Sequence, residues 1–556
     1  MADEYTFAKS LTPQGTEFEF DTRQFVYIND QNNGSYPNGQ ISFDLAGLSN
    51  SGKFVDWSQT NIVIPLILNV NSSTGSFSTA NIENAFSASL KNSALQLIQS
   101  IDVQITNNSV VNLTNFSNLD ISYKLLNRIS SEELANLAPS ILFGKDTAES
   151  ITYNSTFNAN GLGECNNVIA DTIFSPSGGW GATYTTNKGR QDRMKYTSFD
   201  PAATQAAKFT NTTITNNSGK NYATYSTSNN TFYITATIPL RFIHDLFDKL
   251  PLIRGAYVRL LINTSAQSQV SIDLSGGVAY NTTNYSVQSP TNQIPFMLSP
   301  LGTGSGFVGA GSTRITASIG IAKSLVPAGT FTHQLSQCRV YACCYTMSPP
   351  YEEKYLSMMP TKTVKYNDIL SFQQLNVAAG ANVNWLISNG ISRLRSITIF
   401  PFISATVNGS TSLTTFTAGV NLGSPINSPF SSAPGTVAPF HRFGQYNILL
   451  SGSNIYQTNY QYTWETFLQE NRPSLCLNGG LTLGMSSGVI GQSDFENGYG
   501  FAYTDLSRKI SPASDDVSRS LQAIFTNNSL YTCDYYAIVN YEREITISTS
   551  TGSLVI

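Results

Sequence analysis

Residues 338–345 read Cys-Arg-Val-Tyr-Ala-Cys-Cys-Tyr, and residues 533–540 read Cys-Asp-Tyr-Tyr-Ala-Ile-Val-Asn. Each starts on a cysteine and runs through small, β-branched and aromatic residues, which suit a pleated, half-buried surface. They close an ordered set of four matches. Ile62-Val-Ile-Pro65-Leu-Ile67 pairs with Ile397-Thr-Ile-Phe-Pro401-Phe-Ile403; both are apolar runs interrupted by proline, which sheets accept at edges and bulges. Residues 97–123 read as strand, Asn-rich turn (Thr106-Asn107-Asn108), strand and aromatic helix. Residues 446–467 read the same way, with Ser451-Gly452-Ser453-Asn454 as the turn. Residues 256–264, Ala-Tyr-Val-Arg-Leu-Leu-Ile-Asn-Thr, parallel 519–527, Arg-Ser-Leu-Gln-Ala-Ile-Phe-Thr-Asn. Four matches in one order argue for two copies of one β-unit. The first copy takes up far more chain, and two Asn/Thr/Ser/Gly-rich stretches, 144–230 and 264–312, account for most of the excess.

The rest of the sequence carries the same signature. Runs at 18–28, 62–70, 101–105, 231–238, 256–262, 339–345, 363–372, 396–403, 447–450, 518–526 and 534–547 are β-branched or aromatic and bounded by Gly, Pro, Asn or Ser, the pattern of a sandwich or barrel. Helix signals are few: 116–137, where Ser130 and Ser131 precede Glu132 and Glu133 as at a helix start, then 460–470, and a short one at 242–250. The expected organisation is all-β: residues 1–347 form the first unit with its long insertions at about 144–230 and 264–312. Residues 348–361 connect, and 362–556 form the second unit and a C-terminal tail. Pro349-Pro350 marks the connector, because proline ends a strand and stiffens the chain. Insertions this polar cannot form a core alone. They are expected at one end of the first unit, as an outer tower or as contacts between subunits.

Composition narrows the function. Hydrophobic residues make up 41% of the 556, enough for a sizeable core, while charged residues are only 12%, about half the usual share. Net charge is −4 and Lys and Arg form no run, so sequence-specific nucleic-acid binding is not expected. Residues 1–20 lack the apolar segment of a secretion signal, and the longest apolar run, 62–70, is far too short to cross a bilayer as a helix, so no transmembrane segment is expected. The six cysteines, Cys165, Cys338, Cys343, Cys344, Cys476 and Cys533, form no CxxC pair and read as free thiols. The many Asn-x-Ser/Thr sequons, such as Asn527-Asn528-Ser529, follow from the composition.

Motifs that carry chemistry are present only in outline. Gly484-Met-Ser486-Ser-Gly488 matches a nucleophile elbow, but the sequence after it is not helical and the last histidine, His441, lies upstream. Gly304-Ser-Gly306-Phe-Val-Gly309 matches a dinucleotide loop, yet it precedes a β-like run instead of a helix. His244, His333 and His441 have no metal-ligand spacing. Asp245, Asp248 and Lys249 read as a solvated face, and Trp57, Trp180, Trp385 and Trp464 as packing residues. No catalytic, cofactor-binding or metal residue is expected, no cofactor, and no enzyme. A β-rich viral polysaccharide-degrading enzyme and a receptor-binding protein are the alternatives, and neither shows its convergent carboxylates or its many short repeats.

Several strings resemble the major capsid proteins of virophages and Polinton-like viruses, within the adenovirus-type capsid lineage. These are Ile238-Pro-Leu-Arg241-Phe-Ile-His-Asp-Leu-Phe247-Asp-Lys249-Leu-Pro251-Leu-Ile-Arg-Gly255, Asn389-Gly390-Ile391 followed by Ile397 to Phe402, Ser428-Pro429-Phe430-Ser431-Ser-Ala433-Pro434, Leu450-Ser-Gly452-Ser-Asn454, Tyr460-Gln-Tyr462, and the ending Tyr541-Glu542-Arg543-Glu544-Ile545-Thr-Ile547. They are spread over residues 60–550. The resemblance implies a double jelly roll, two tandem eight-stranded jelly rolls with a few short helices and long inserted loops. It further implies homotrimers of pseudo-hexagonal outline that tile an icosahedral shell around a double-stranded DNA genome. The implied partners are other copies of the chain, a single-jelly-roll penton protein and minor or cement capsid proteins. The implied location is the virion capsid, made and assembled inside the host cell.

Overall fold

The computed structural model of the chain describes residues 19–72, 86–111, 115–146, 193, 213–215, 221–225, 229–274, 283–300, 314–321, 337–358, 360–404, 412–413, 441–475, 488–529 and 532–555. Sixteen strands make up its two repeated units. The first unit holds β1 (Phe20–Asn29), β2 (Gln40–Asp44), β3 (Phe54–Ser72), β4 (Ile98–Ile105), β5 (Asn108–Val111), β6 (Asn229–Pro239), β7 (Val258–Thr264) and β8 (Arg339–Met347). The second holds β9 (Thr361–Val377), β10 (Asn382–Ile391), β11 (Leu394–Ile403), β12 (Phe443–Leu450), β13 (Ser453–Asn454), β14 (Ala502–Asp505), β15 (Arg519–Asn527) and β16 (Cys533–Ser548). Hydrogen bonding orders the first set as β1-β8-β3-β6 and β2-β7-β4-β5, and the second as β9-β16-β11-β14 and β10-β15-β12-β13. Adding eight to each number of the first unit reproduces the second. That order, in two facing antiparallel sheets, is the jelly roll, and the chain contains it twice.

Side-chain alternation sets the sandwich. In β7 Val258, Leu260 and Ile262 are buried, and in β15 Leu521, Ala523 and Phe525 are, with intervening residues more exposed. A strand's period of two puts such residues on one face. The four matched pairs fall on equivalent strands: the proline runs on β3 and β11, the turn-containing segments on β4–β5 and β12–β13, then β7 with β15 and β8 with β16. The prolines themselves are not equivalent. Pro65 lies opposite Thr235 on the outer face, whereas Pro401 lies opposite Tyr535 on the inner one. What they share is a missing neighbour. β3 pairs with β8 up to Val63 and with Arg314–Ile321 from Leu66, so that flank is unpaired at Pro65. Pro401 lies beyond the last β11–β14 pair, Ile399–Ala502. Proline has no N–H to donate, so each sits where no acceptor waits.

Stretches expected to be loops are partly strand. Ser268–Leu274 and Thr283–Gln288 join the far half of β3 through Arg314–Ile321, the run already read as β-like, and Asn221–Tyr225 and Thr213–Thr215 add to β6; with Ile253–Arg254 on β3 and Ser412–Leu413 on Thr283–Gln288 the sheet has eleven strands. The alternation of Val270 and Ile272, and of Tyr285 and Val287, is the strand signal that loop-like composition concealed. Among helices, Ser117–Arg128 and Ser131–Asn136 replace one long element, and Ser130 and Glu133 form the capping box expected at the break. The third expected helix is two short turns, Leu240–Ile243 and Leu246–Lys249. The second begins at Trp464, later than expected, and runs to Leu475. Pro349–Met358 is helical, with its prolines in the first turn, where an N–H has no partner to lose.

Candidate functional site: the seam between the two jelly rolls

A helix stands between the fifth and sixth strands of both units, Ser117–Arg128 in the first and Trp464–Leu475 in the second. The first lies against the outer face of the second unit's β11 and β14. Inner and outer faces are assigned by contact: Tyr535 touches Phe443 and Phe525 of the facing sheet, so Phe400, Phe402 and Tyr536 point the other way. Tyr123 covers that outer face. Its ring stacks on Tyr503 at 5.7 Å and meets Phe501 edge-on at 5.2 Å and Phe400 at 6.1 Å. Its hydroxyl donates to Asn471 Oδ1 at 2.8 Å, and Asn471 Nδ2 donates in turn to Asn127 Oδ1 at 3.1 Å. All three residues are buried, which a polar group tolerates only when bonded. Phe116, in a left-handed conformation just before the helix, packs on Tyr536 at 4.8 Å.

Other contacts extend the seam. Val489 N–H donates to the Leu126 carbonyl at 2.9 Å, Lys145 bridges to Asp494 at 2.7 Å, and the Tyr499 hydroxyl donates to the Asp146 carbonyl at 2.8 Å. Asp146 also pairs with Arg193 at 2.6 Å, a buried pair that fixes one residue of the 144–230 insertion against the Leu90 and Gly144 carbonyls. At the opposite end Asp368 of β9 is buried among His244 Nε2 at 3.4 Å, the Tyr541 hydroxyl at 3.2 Å, Arg543 at 3.0 Å and the Ile369 N–H at 2.8 Å. Burial raises the Asp368 carboxyl, but the bonds and charges of His244 and Arg543 outweigh it and hold the group below the ordinary carboxylate value. Asp245 accepts from the Asn367 N–H at 3.1 Å, and Tyr366 donates to the Val110 carbonyl. One continuous apolar core therefore runs through both units.

Several of the residues weighed for chemistry have structural partners among the described residues. His244 ties the first unit to Asp368. His441 is buried, bonded to the Tyr535 hydroxyl at 2.9 Å, and burial, with the Arg442 charge second, lowers it to about 3. Asp248 and Lys249 are half-exposed neighbours at 3.9 Å. Gly488 has a φ of +71°, and a Cβ there would lie 2.4 Å from the Leu126 carbonyl oxygen, so this glycine of the elbow-like motif answers to helix packing. Trp57 packs on Phe247 at 6.2 Å, Trp385 is buried in β10, and Trp464 packs on Phe467 at 5.6 Å. Cys338, Cys343, Cys344 and Cys533 are buried thiols outside any disulfide. Ser486, His333, Trp180, Cys165, Cys476 and Gly304 to Gly309 lie outside the described residues. Among the described residues no three acidic, His or Cys side chains converge as a metal site, and no helix is long and apolar enough to cross a membrane. Sequence reading missed the seam, because its partners are far apart along the chain.

No family model matches the chain, and no curated protein sequence does. Solved structures do. A chain of the Sputnik virophage, solved by cryo-electron microscopy, is similar over 98% of this chain and 90% of its own, with a TM-score of 0.51 at 12% identity. The mavirus major capsid protein gives a TM-score of 0.42 at 11% identity over 99% and 92%, and the Faustovirus major capsid protein 0.42 at 10% over 96% and 92%. The comparison of folds rests on the first of these. The chain is a double jelly roll, and it shares that fold with a chain of the Sputnik virophage.

Proposed function

We propose that the chain is the major capsid protein of a double-stranded DNA virus. In this reading three copies close into a trimer of pseudo-hexagonal outline, and trimers tile an icosahedral shell in the virion. The observation that carries it is the duplication of one eight-stranded order within a single apolar core. Two similar wedges per chain give six per closed ring of three, and a ring leaves no flank unpaired. The virophage-like strings and the fold shared with the Sputnik virophage chain support the same reading. Residues 1–347 and 362–556 serve as the two domains, with 348–361 between them. A penton protein of one jelly roll and minor or cement proteins are the further partners, and assembly takes place in the host cell. Catalysis has no part in it: Ser486→Ala and His441→Ala leave no activity to lose.

The test is mass by light scattering across dilution and at about 1 M salt, where screened surface pairs fail. A trimer under both conditions supports the reading, and a monomer under both contradicts it. Deleting 144–230 should leave a soluble double jelly roll that no longer forms trimers or shells. A deletion protein that assembles as wild type would remove that segment from the account.

A further inference from the structure

The outer faces of both units are buried on their inner strands, Phe400 and Phe402 on β11 and Val63 and Ile67 on β3, but not along β1. The outer face of the second unit's β9-β16-β11-β14 sheet is covered: Phe400 and Phe402 are fully buried beneath the first unit's Ser117–Arg128 helix region. Among the described residues, the outer face of the first unit's β1-β8 pair is left open along β1, although Cys343 of β8 is buried. Phe25 is 53% and Tyr27 56% exposed, among the most exposed large apolar side chains of the described residues. Both stand on the same side of β1, because residues two apart in a strand share a face. Their neighbours on β8 are Cys343 and Tyr341. Tyr341 follows Cys338 by the same interval as Tyr536 follows Cys533, and Tyr536 is the residue on which Phe116 packs.

The uncovered face is also cationic. Arg23 lies over the Phe25 and Tyr345 rings at 5.6 and 5.8 Å, and Arg339 over Tyr27 at 4.8 Å. Arg23 reaches Gln59 and feels the charge of Asp56, and Arg339 donates to Asn29; among the described residues neither makes a direct ion pair. The second unit's helix side has the complementary chemistry. Glu465 is exposed at the start of Trp464–Leu475, beside exposed Gln461 and Thr463. Next to them opens a cleft of about 220 Å³, lined by Trp464, Phe495 and Glu496 among others. The Arg442 guanidinium in this cleft is spent on the carbonyls of His441 and Glu496.

We propose that the Arg23, Phe25, Tyr27, Tyr341 and Arg339 face of one copy is covered by the Glu465, Trp464 and Glu496 side of the second unit of another copy. The contact repeats between chains what the Ser117–Arg128 helix does within one. The same patch is not used on both partners, so the contact is head-to-tail, and such contacts close as a ring of three when each step turns by a third of a circle. Aromatic and arginine side chains are those that carry interface affinity. The inference rests on the capsid reading and assigns its contact surface.

The experiment compares wild type with Phe25→Glu/Tyr27→Glu and with Arg23→Glu/Arg339→Glu. Mass is followed by light scattering and folding by circular dichroism. Both pairs should weaken the trimer at least 100-fold with the strand spectrum unchanged. Adding Glu465→Arg and Glu496→Arg to the arginine-reversed protein should recover at least tenfold. Hydroxyl-radical footprinting reads the same surface: Phe25 and Tyr27 should be protected in the wild-type trimer and labelled in the Arg23→Glu/Arg339→Glu protein once it is monomeric. Trimers in the Phe25→Glu/Tyr27→Glu protein at wild-type strength, or equal labelling in trimer and monomer, overturn this surface while leaving the capsid reading intact. Labelling that stays low in the monomer assigns the cover to the chain itself and also overturns it. A wild type that is monomeric throughout fails the capsid reading instead.

Discussion

Tyr123 is the residue through which the two jelly rolls depend most on each other. Replacing it with alanine removes a ring packed on Tyr503, Phe501 and Phe400, and a hydroxyl bonded to Asn471. Truncating a buried aromatic to alanine costs about 3–5 kcal/mol. The hydroxyl share is separable, because Tyr123→Phe keeps the ring and leaves the Asn471 oxygen without its donor, at about 1–2 kcal/mol. Expected losses are therefore about 4 kcal/mol for alanine and 1–2 for phenylalanine. The assay is urea unfolding of the full chain, followed by tryptophan fluorescence, with amide hydrogen exchange read in both units. Because the apolar core is continuous across the seam, β3 of the first unit and β11 of the second should lose protection together. A loss below about 1 kcal/mol for Tyr123→Ala, or lost protection in one unit alone, would refute the claim that this contact couples them.

Gly488→Ala should cost at least about 2 kcal/mol, since the position combines positive φ with a Cβ clash on the Leu126 carbonyl, and the thermal midpoint should fall accordingly. His441 gives a pH dependence. The unfolded chain protonates near pH 6.5 and the folded one near 3, so the unfolded state binds the extra proton between those values and stability falls as pH drops through that window. At pH 5 the loss is about 2 kcal/mol, from 1.36 kcal/mol per unit, and His441→Gln should lack it; a wild-type-minus-variant difference that is constant from pH 7 to 5 contradicts this. Asp368→Asn should destabilise by about 3 kcal/mol at pH 7, because it leaves the buried His244 and the half-buried Arg543 without their carboxylate partner. The lowered carboxyl contributes only above its folded value, so the difference from wild type should shrink as pH falls below about 4 in urea titrations.

Much of the fold was legible because strands announce themselves by alternation, and because duplication gave every weak signal a second reading. The match of 338–345 with 533–540 placed β8 and β16 correctly, and Ser130 with Glu133 marked a real helix start. The proline match located the right strands for an inexact reason. The two prolines face opposite ways and share only an unpaired flank, a property of the neighbouring strands. The strands within 264–312 were hidden by Ser, Asn and Thr, which fill a sheet's solvent face as readily as a loop. Contacts across the seam were not legible at all. Asp368 meets His244 and Arg543, and Gly488 meets Leu126, across separations that no local pattern encodes. The exposed Phe25 and Tyr27 read simply as strand residues, since alternation says which residues share a face and not whether another chain covers it.

Electron microscopy of the purified, concentrated wild-type chain tests the central claim most directly. Multivalent weak contacts between trimers should make shells appear above a threshold concentration. The account predicts closed particles whose surface is tiled by three-fold units of pseudo-hexagonal outline, each fitted by three copies of the chain with six jelly rolls standing side by side. A protein that stays as single chains at every concentration, or particles whose units do not divide into three copies, would contradict it.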